Sequence, residues 1–344
     1  MKILAIETSC DETAIAVVKG TGTLRHPHFK VLKSIISSQI PIHRPFGGVV
    51  PSLAKREHLK NLPIVLKQIL DTKYPASTSR RGEADKIQDT DAIAVTVGPG
   101  LEPALWTGIN FAKDLAKKHK KPLLGVNHLE GHLYSPLLSL KEKIPPPAIG
   151  LVVSGGHTIL LLLKKIDSWK KIGETRDDAV GEAYDKVARL LGLPYPGGPE
   201  IERISRGVKP KIEFPRPMIK QKNYDFSFSG LKTSVLYYLR DHPQASKKQV
   251  AASFQQAVIE VLVAKTMKAA MNYRAKSLLL AGGVAANKPL RRALRGACHK
   301  QGIKFFVSEI KYSTDNAAMI GAAAYLNHLR SKKYRPTAQA NLNL

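Results

Sequence analysis

The stretch "AIGLVVSGGHTILLLLKK" (residues 148–165) decides the fold. An apolar run, a short polar turn with two glycines and a second apolar run make a buried β-hairpin. Near the start of the chain, "KILAIETSCDETAIAVVKG" (residues 2–20) follows the same plan of strand, polar turn and strand. Each hairpin is then followed by a buried strand, a glycine loop and a helix. The first such unit is "DAIAVTVGPGLEPALWTGINFAKDLAKKH" (91–119) and the second is "KSLLLAGGVAANKPLRRALRGACHK" (276–300). The chain is a duplication by pattern, without sequence identity between its halves.

Glycine turns at strand-to-helix junctions expose backbone N–H groups at the positive end of a helix, which suits phosphate. One such turn is weak evidence. Four of them, at residues 8–12, 98–100, 154–156 and 282–283, fit a two-lobed nucleotide-binding protein. The pattern predicts an α/β fold of the actin, hexokinase and Hsp70 ATPase (ASKHA) type, with duplicated ribonuclease-H-like subdomains. The expected first lobe is 1–125, with a helix at about 317–330 packing back on it, and the expected second lobe is 126–316. An amphipathic helix is expected from about Ser52, a polar surface loop at 72–90, and a basic, frayed tail at 331–344.

Composition narrows the class. No apolar run is long enough to span a membrane, and "MKILAIE" lacks the features of a secretory signal. The two cysteines, Cys10 and Cys298, make neither a C-x-x-C zinc site nor a disulfide framework, so a cytoplasmic protein is expected. Against 27 acidic residues stand 54 lysines and arginines, a net charge of +27. That excess predicts a polyanionic partner, and structured RNA held by phosphates and shape fits best, since no base-reading motif is present. The positive clusters lie at 117–121, 203–222, 291–300 and 330–335.

The segment "NHLEGH" (127–132) places His128 and His132 on one helical face, where they can share an ion or simply be polar surface residues. A metalloprotease helix needs H-E-x-x-H. Here the order is H-L-E-G-H, and Glu130 points away from any ion held by the histidines.

Eight segments together resemble the TsaD-type tRNA threonylcarbamoyltransferases, formerly described as O-sialoglycoprotein endopeptidases. They are "IETSCDET", "HRPFGGVVPSLAKREH", "NHLEGH", "VSGGHT", "DDAVGEAYDKVARLLGLPYPGGP", "DFSFSGLKTS", "AGGVAANKPLR" and "STDNAAMIGAAA", in order from residue 6 to residue 324. The resemblance implies the two-lobed fold and transfer of threonylcarbamoyl from threonylcarbamoyl-AMP to N6 of adenosine 37 in ANN-decoding tRNAs. It implies one divalent metal, Fe²⁺ ahead of Zn²⁺, on His128, His132 and Asp315. It assigns the adenylate to Ser154, Gly155, Gly156, His157, Thr158, Asp185, Gly198 and Asn287, and activity to Asp11 and Glu12. In bacteria a TsaB-like paralogous subunit and a TsaE-like ATPase are the implied partners, beside tRNA. Ser52 stands where the family usually has Glu, and "LEPALWTG" replaces the usual "LVGALLVG". Val152 replaces a metal-binding Tyr of archaeal and eukaryotic relatives, which points to the bacterial or organellar branch.

The implied substrate is a mixed anhydride, and adenine N6 is a poor nucleophile. Catalysis must therefore come from polarising the carbonyl, stabilising the leaving phosphate and alignment. Two imidazoles and a carboxylate suit Fe²⁺ or Zn²⁺, and a carboxylate at Asp185 suits ribose hydroxyls. Each residue also has a plainer reading. Asp315 can cap the following helix, Asp185 can pair with Lys186 or Arg189, and Gly198 can be a tight-turn residue. Asp11 and Glu12 can be hairpin-turn residues, Cys10 a packed thiol and His157 a loop residue. Rival functions are a small-molecule kinase of the same superfamily, a metallopeptidase, or an inactive tRNA-binding scaffold. The kinase has no use for the paired histidines, and the peptidase lacks its glutamate.

Overall fold

The computed structural model describes residues 1–71, 87–140, 142–165 and 168–344. The expected loop at 72–90 lies largely outside them, apart from a short 3₁₀ turn at Ile87–Asp89. The chain forms two compact units: Met1–Ile42, Val49–Leu140 and Asp315–Leu344, and separately His43–Gly48 with Lys141–Thr314.

In the first unit, β1 (Lys2–Glu7), β2 (Glu12–Thr23), β3 (His26–Ser38), β4 (Ala92–Gly98) and β5 (Leu123–Asn127) form one sheet in the order β3-β2-β1-β4-β5. The hairpin strands pair antiparallel, while β1, β4 and β5 run parallel. Every residue of β4 is buried, as expected of a central parallel strand covered on both faces. By contrast, β3 alternates exposed and partly buried positions, which suits a sheet edge. The short α1 (Ile40–His43) precedes α2 (Pro51–Asp71), and α3 (Glu102–His119) follows β4. Their apolar stripes, Leu62, Val65 and Ile69 from one and Leu105, Ile109 and Ala112 from the other, pack on Leu4, Ile6, Ile15 and Val95. Ser52 is exposed in the first turn of α2. After β5 comes α4 (His128–Tyr134), whose residues are all buried.

The second unit repeats the sheet. Its strands β6 (Ala148–Val153), β7 (Thr158–Lys165), β8 (Ser168–Glu174), β9 (Ser277–Ala281) and β10 (Lys304–Val307) lie in the order β10-β9-β6-β7-β8. Antiparallel and parallel pairs fall as in the first unit. The expected duplication is therefore present strand for strand. Val152 is a fully buried core residue of β6. The helices are α5 (Val180–Leu190), α6 (Gly197–Ser205), α7 (Ser229–Asp241), α8 (Lys247–Asn272) and α9 (Lys288–Lys300). Phe254, Val258, Val261 and Leu262 of α8 belong to the core with Ile149, Leu151 and Leu280 of the sheet.

At Asp315 the chain rejoins the first unit, and α10 (Ala317–Leu329) packs on β1, β2 and α4. Among the described residues no helix is long and apolar enough to cross a membrane. Two features differ from the sequence expectation. The first unit continues through Leu140, so α4 belongs to it and not to a second lobe starting at 126. The tail after α10 is also not frayed. Tyr334 bridges Gly125 of β5, Gln339 N donates to Val97 O (2.8 Å), and Ala338 and Leu342 pack on the core. A segment with satisfied backbone bonds and buried side chains is held whatever its position in the sequence. Deleting residues 336–344 should cost about 2–4 kcal/mol, from the lost burial and hydrogen bonds. That should lower the melting temperature of the first unit by roughly 5–10 °C. A calorimetric trace unchanged by the deletion would show that the tail contributes nothing.

Candidate functional site

The metal-type residues are positioned by α4. Asn127 caps it, its Oδ1 accepting from Leu129 N (2.8 Å) and Glu130 N (3.3 Å). His128 and His132 follow one turn apart, with ring centroids 4.6 Å from each other. Asp315 Oδ1 lies 3.4 Å from His128 Nε2 and 3.1 Å from His132 Nε2. One ligating atom from each of the three residues falls within 4.8 Å of the others. The helix-capping alternative for Asp315 fails, because Asn316 is the cap of α10 and accepts from Met319 N (3.0 Å).

His132 Nδ1 is buried without a hydrogen-bond partner among the described residues, and Nε2 is buried against Asp315 Oδ1. Two buried Nε2 atoms converging on one carboxylate oxygen need a cation or a proton between them. Nitrogen, nitrogen and carboxylate oxygen also match Fe²⁺ or Zn²⁺, so the residues present fit a divalent ion.

A residue that sequence reasoning passed over completes this group. Glu7, fully buried at the end of β1, approaches His128 Nδ1 at 3.1 Å. It also accepts from Ser9 N (2.6 Å) and Thr96 Oγ1 (2.5 Å). A carboxylate on the far nitrogen fixes the ring and raises its basicity, as in carboxylate–histidine–metal arrangements. The one signal in the sequence is an acid closing the apolar strand "KILAIE". Burial works to raise the Glu7 carboxyl, but the His128 charge outweighs it and holds the carboxyl low. Burial likewise works to lower His128, yet Asp315 and Glu7 carry it up to about 10. Burial also opposes ionisation of Asp315, and His128 and His132 hold it well below the usual carboxylate range. An ion at His128 Nε2 takes the place of a proton, so binding releases one.

Glu130 serves elsewhere. Its carboxylate accepts from Asn327 Nδ2 (2.8 Å) and Lys332 Nζ (2.8 Å), with Arg330 at 3.3 Å. It locks the end of α10 and the tail to α4, and it is no base for the histidine pair.

Asp11 and Glu12 sit in the β1–β2 turn. Gln39 N donates to Asp11 O (2.9 Å), and His58, also unassigned by sequence reasoning, spans the turn from Cys10 O (2.9 Å) to Thr13 Oγ1 (2.8 Å). Burial, then the charges of Asp11 and Asp315, push Glu12 well above the ordinary carboxylate range. Burial and Asp11 push the Cys10 thiol up, which favours the packed-thiol reading.

The adenylate candidates lie in the second unit. Ser154 Oγ accepts from His157 N (3.2 Å), closing the β6–β7 turn. Gly181 and Gly282 each pack against that turn so closely that a Cβ would strike Ser154 O or Val153 O. The turn, the start of α5 and the Gly282–Gly283 loop are thus brought together. A methyl group added at Gly155, Gly156, Gly198 or Gly283 would meet no atom within 4 Å. Three of the candidates have partners within the fold. Thr158 is buried and its Oγ1 accepts from Val180 N (2.9 Å), so it supports α5. Asp185 Oδ1 accepts from Gly197 N (2.7 Å) and holds the "PGGP" turn. Asn287 caps α9 through Leu290 N (2.9 Å) and donates to Gln255 Oε1 (2.9 Å). The Gly98–Gly100 turn of the first unit is no phosphate loop, because Gly100 N donates to Ala340 O (3.1 Å) in the tail.

Comparison with known proteins agrees. The family model for TsaD, tRNA N6-adenosine threonylcarbamoyltransferase, matches residues 30–322. A protein of that name from Moorella thermoacetica is 51% identical over 333 residues, covering 95% of this chain and 92% of its own. One from Thermosipho africanus is 48% identical, covering 100% of this chain and 99% of its own. Among solved structures, full-length HypF in a phosphate- and nucleotide-bound form superposes with a TM-score of 0.60 at 14% identity, covering 98% of this chain and 47% of HypF. The activator of the 2-hydroxyisocaproyl-CoA dehydratase from Clostridium difficile gives 0.51 at 14% identity, covering 96% of both chains. These two share the ASKHA-type fold.

Glu7→Gln should weaken metal affinity about 10–100-fold, because the neutral amide no longer supports His128. Ala at His128, His132 or Asp315 should empty the site with circular dichroism largely unchanged. Elemental analysis and metal titration check both, and full metal content in Asp315→Ala would refute the three-ligand set.

Proposed function

This chain belongs to the tRNA N6-adenosine threonylcarbamoyltransferase family, and we propose how its residues divide that reaction. Threonylcarbamoyl-AMP is the donor, and the acceptor is N6 of adenosine 37 in ANN-decoding tRNA. A bond forms between N6 and the carbamoyl carbon as the anhydride C–O bond breaks, N6 loses a proton and AMP leaves.

In the first unit, His128, His132 and Asp315 would hold one divalent ion, Fe²⁺ ahead of Zn²⁺. Bound there, the ion supplies Lewis acidity toward substrate oxygens. Asp11 is the general base that accepts the N6 proton, while Glu12 stays protonated beside it and can donate a hydrogen bond. His58 holds that turn in place. In the second unit, the backbone N–H groups of Gly155, Gly156 and Gly283 bind the phosphate that leaves with AMP. Ser154 and His157 shape this turn, and Gly198 allows close approach of the nucleoside. Asp185, Thr158 and Asn287 position the turns, and Asp185 can offer its second oxygen to ribose.

The observation that carries this reading is the His128–His132–Asp315 group braced by Glu7, in a chain matched over nearly its full length by this transferase family. Peptide hydrolysis finds no support, since Glu130 is committed to Asn327, Arg330 and Lys332. A TsaB-like subunit and a TsaE-like ATPase are the proposed partners.

The test is transfer of labelled threonylcarbamoyl from preformed threonylcarbamoyl-AMP to an ANN-decoding tRNA, with and without those two subunits. Asp11→Asn should lower the rate at least about 100-fold, the scale of general-base catalysis, with metal content unchanged. An Asp11→Asn protein with wild-type rate would remove the base assignment. Transfer that is absent under every partner combination would remove the reaction itself.

A further inference from the structure

Several cations of the basic clusters are engaged within the fold, although the net charge of +27 is what remains after every acid is counted. Arg330 and Lys332 pair with buried Glu130, Arg203 pairs with Glu200, and Arg291 turns inward to Ala285 O and Ser313 Oγ. One region of the second unit is different. Residues 216–224 and 261–276 contain Arg216, Lys220, Lys222, Lys265, Lys268, Arg274 and Lys276, and no aspartate or glutamate.

The fold presses these two segments together. Lys265 is fully buried in α8, and its Nζ donates to Asn223 O (2.9 Å). One turn on, Lys268 Nζ donates to Gln221 O (2.8 Å) and Lys222 O (2.9 Å). Two ammonium groups thus clamp a basic loop to a basic helix end. Neighbouring acids are already engaged: Asp225 takes Arg176, Glu260 takes Arg216, and Glu142 takes Lys304. Lys220, Lys222, Arg274 and Lys276 are left exposed on one margin of the unit. Beside them the rings of Tyr224 and Tyr273 lie 5.8 Å apart, and Lys268 Nζ sits 6.0 Å from the Tyr224 ring centroid. Tyr273 is 37% exposed.

Holding like charges together without counter-charge is unfavourable in the protein alone and favourable against a polyanion. Exposed cations mixed with an aromatic face are the means by which proteins hold an RNA backbone and stack an unpaired base. We infer that this surface, centred on Lys220, Lys222, Lys268, Tyr273 and Arg274, docks the tRNA backbone. The inference rests on the transferase reading and adds where on the chain the tRNA is gripped. Asn287 bonds to Gln255 of α8, and Tyr273 follows 18 residues later, roughly 27 Å along the helix axis. This surface therefore meets a part of the tRNA remote from a nucleotide bound near Asn287.

The experiment measures binding of unmodified ANN-decoding tRNA across a salt series, with the transfer assay alongside. The variant is Lys220→Glu, Lys222→Glu and Arg274→Gln together, its fold checked by its melting temperature. Affinity at moderate salt should fall roughly 10–100-fold, and the slope of log K against log salt should lessen by about 2–3, one phosphate contact per altered cation. In transfer, the loss should appear in KM for tRNA. Tyr273→Ala should weaken binding further, with little change in slope. Charge reversal at Lys117, Lys118 and Lys120 is the comparison arm and should have the smaller effect. A triple variant of wild-type melting temperature that retains wild-type affinity and slope overturns the inference, as does loss of binding confined to the comparison arm. Because binding is read without transfer, a wild type that binds tRNA but transfers nothing refutes the proposed reaction instead, and the binding data still decide the surface.

Discussion

Glu7 is a carboxylate with no exposed surface, at the end of the central strand of the first sheet. A buried charge costs several kcal/mol unless donors surround it. Here the donors come from three places: Ser9 in the following turn, Thr96 on β4 and His128 at the start of α4. Satisfying this one group fixes the turn that carries Asp11 and Glu12, the neighbouring strand, and the orientation of a metal-type histidine. The site's geometry follows from this constraint more than from any local preference of the residues in it.

Much of the fold was legible because its signals are local. Runs such as "ILLLLKK" and "AIAVTVG" are continuous apolar strands, and two hairpins followed by two glycine loops disclosed the duplication. His128 and His132 were legible by spacing. Asp315 was not, because no local pattern links residues so far apart, and only the family resemblance supplied it. Glu7 and His58 were missed for the same reason: their partners, His128 and the Cys10 carbonyl, come from elsewhere in the chain. The tail misled because its ties are backbone bonds to Val97 and Gly100, which leave no mark on composition. Thr158, Asp185 and Asn287 were expected, from the family resemblance, to hold the adenylate. Their side chains proved to be bound to backbone or to Gln255, a commitment that sequence cannot display.

The duplicated halves have come to use the same parts differently. The strand-to-helix turn of the first unit has its N–H taken by the tail, while Gly155, Gly156 and Gly283 of the second unit border open space. Likewise, the glutamate that makes "HLEGH" look like a protease helix is an anchor for Asn327, Arg330 and Lys332. Repetition of a fold preserves the positions of turns and leaves their chemistry to neighbours.

The first unit is assembled from the two ends of the chain, whereas almost all of the second lies in one uninterrupted segment, Lys141–Thr314. During synthesis the ribosome therefore releases everything the second core needs before Asp315 and α10 exist. The early sheet must wait with Glu7 and the histidines unsealed until the last segment arrives. Domains generally fold as units once complete, so the internal unit folds first and the one begun first finishes last. The group His128, His132 and Asp315 is consequently complete only late in synthesis, once Asp315 has left the ribosome.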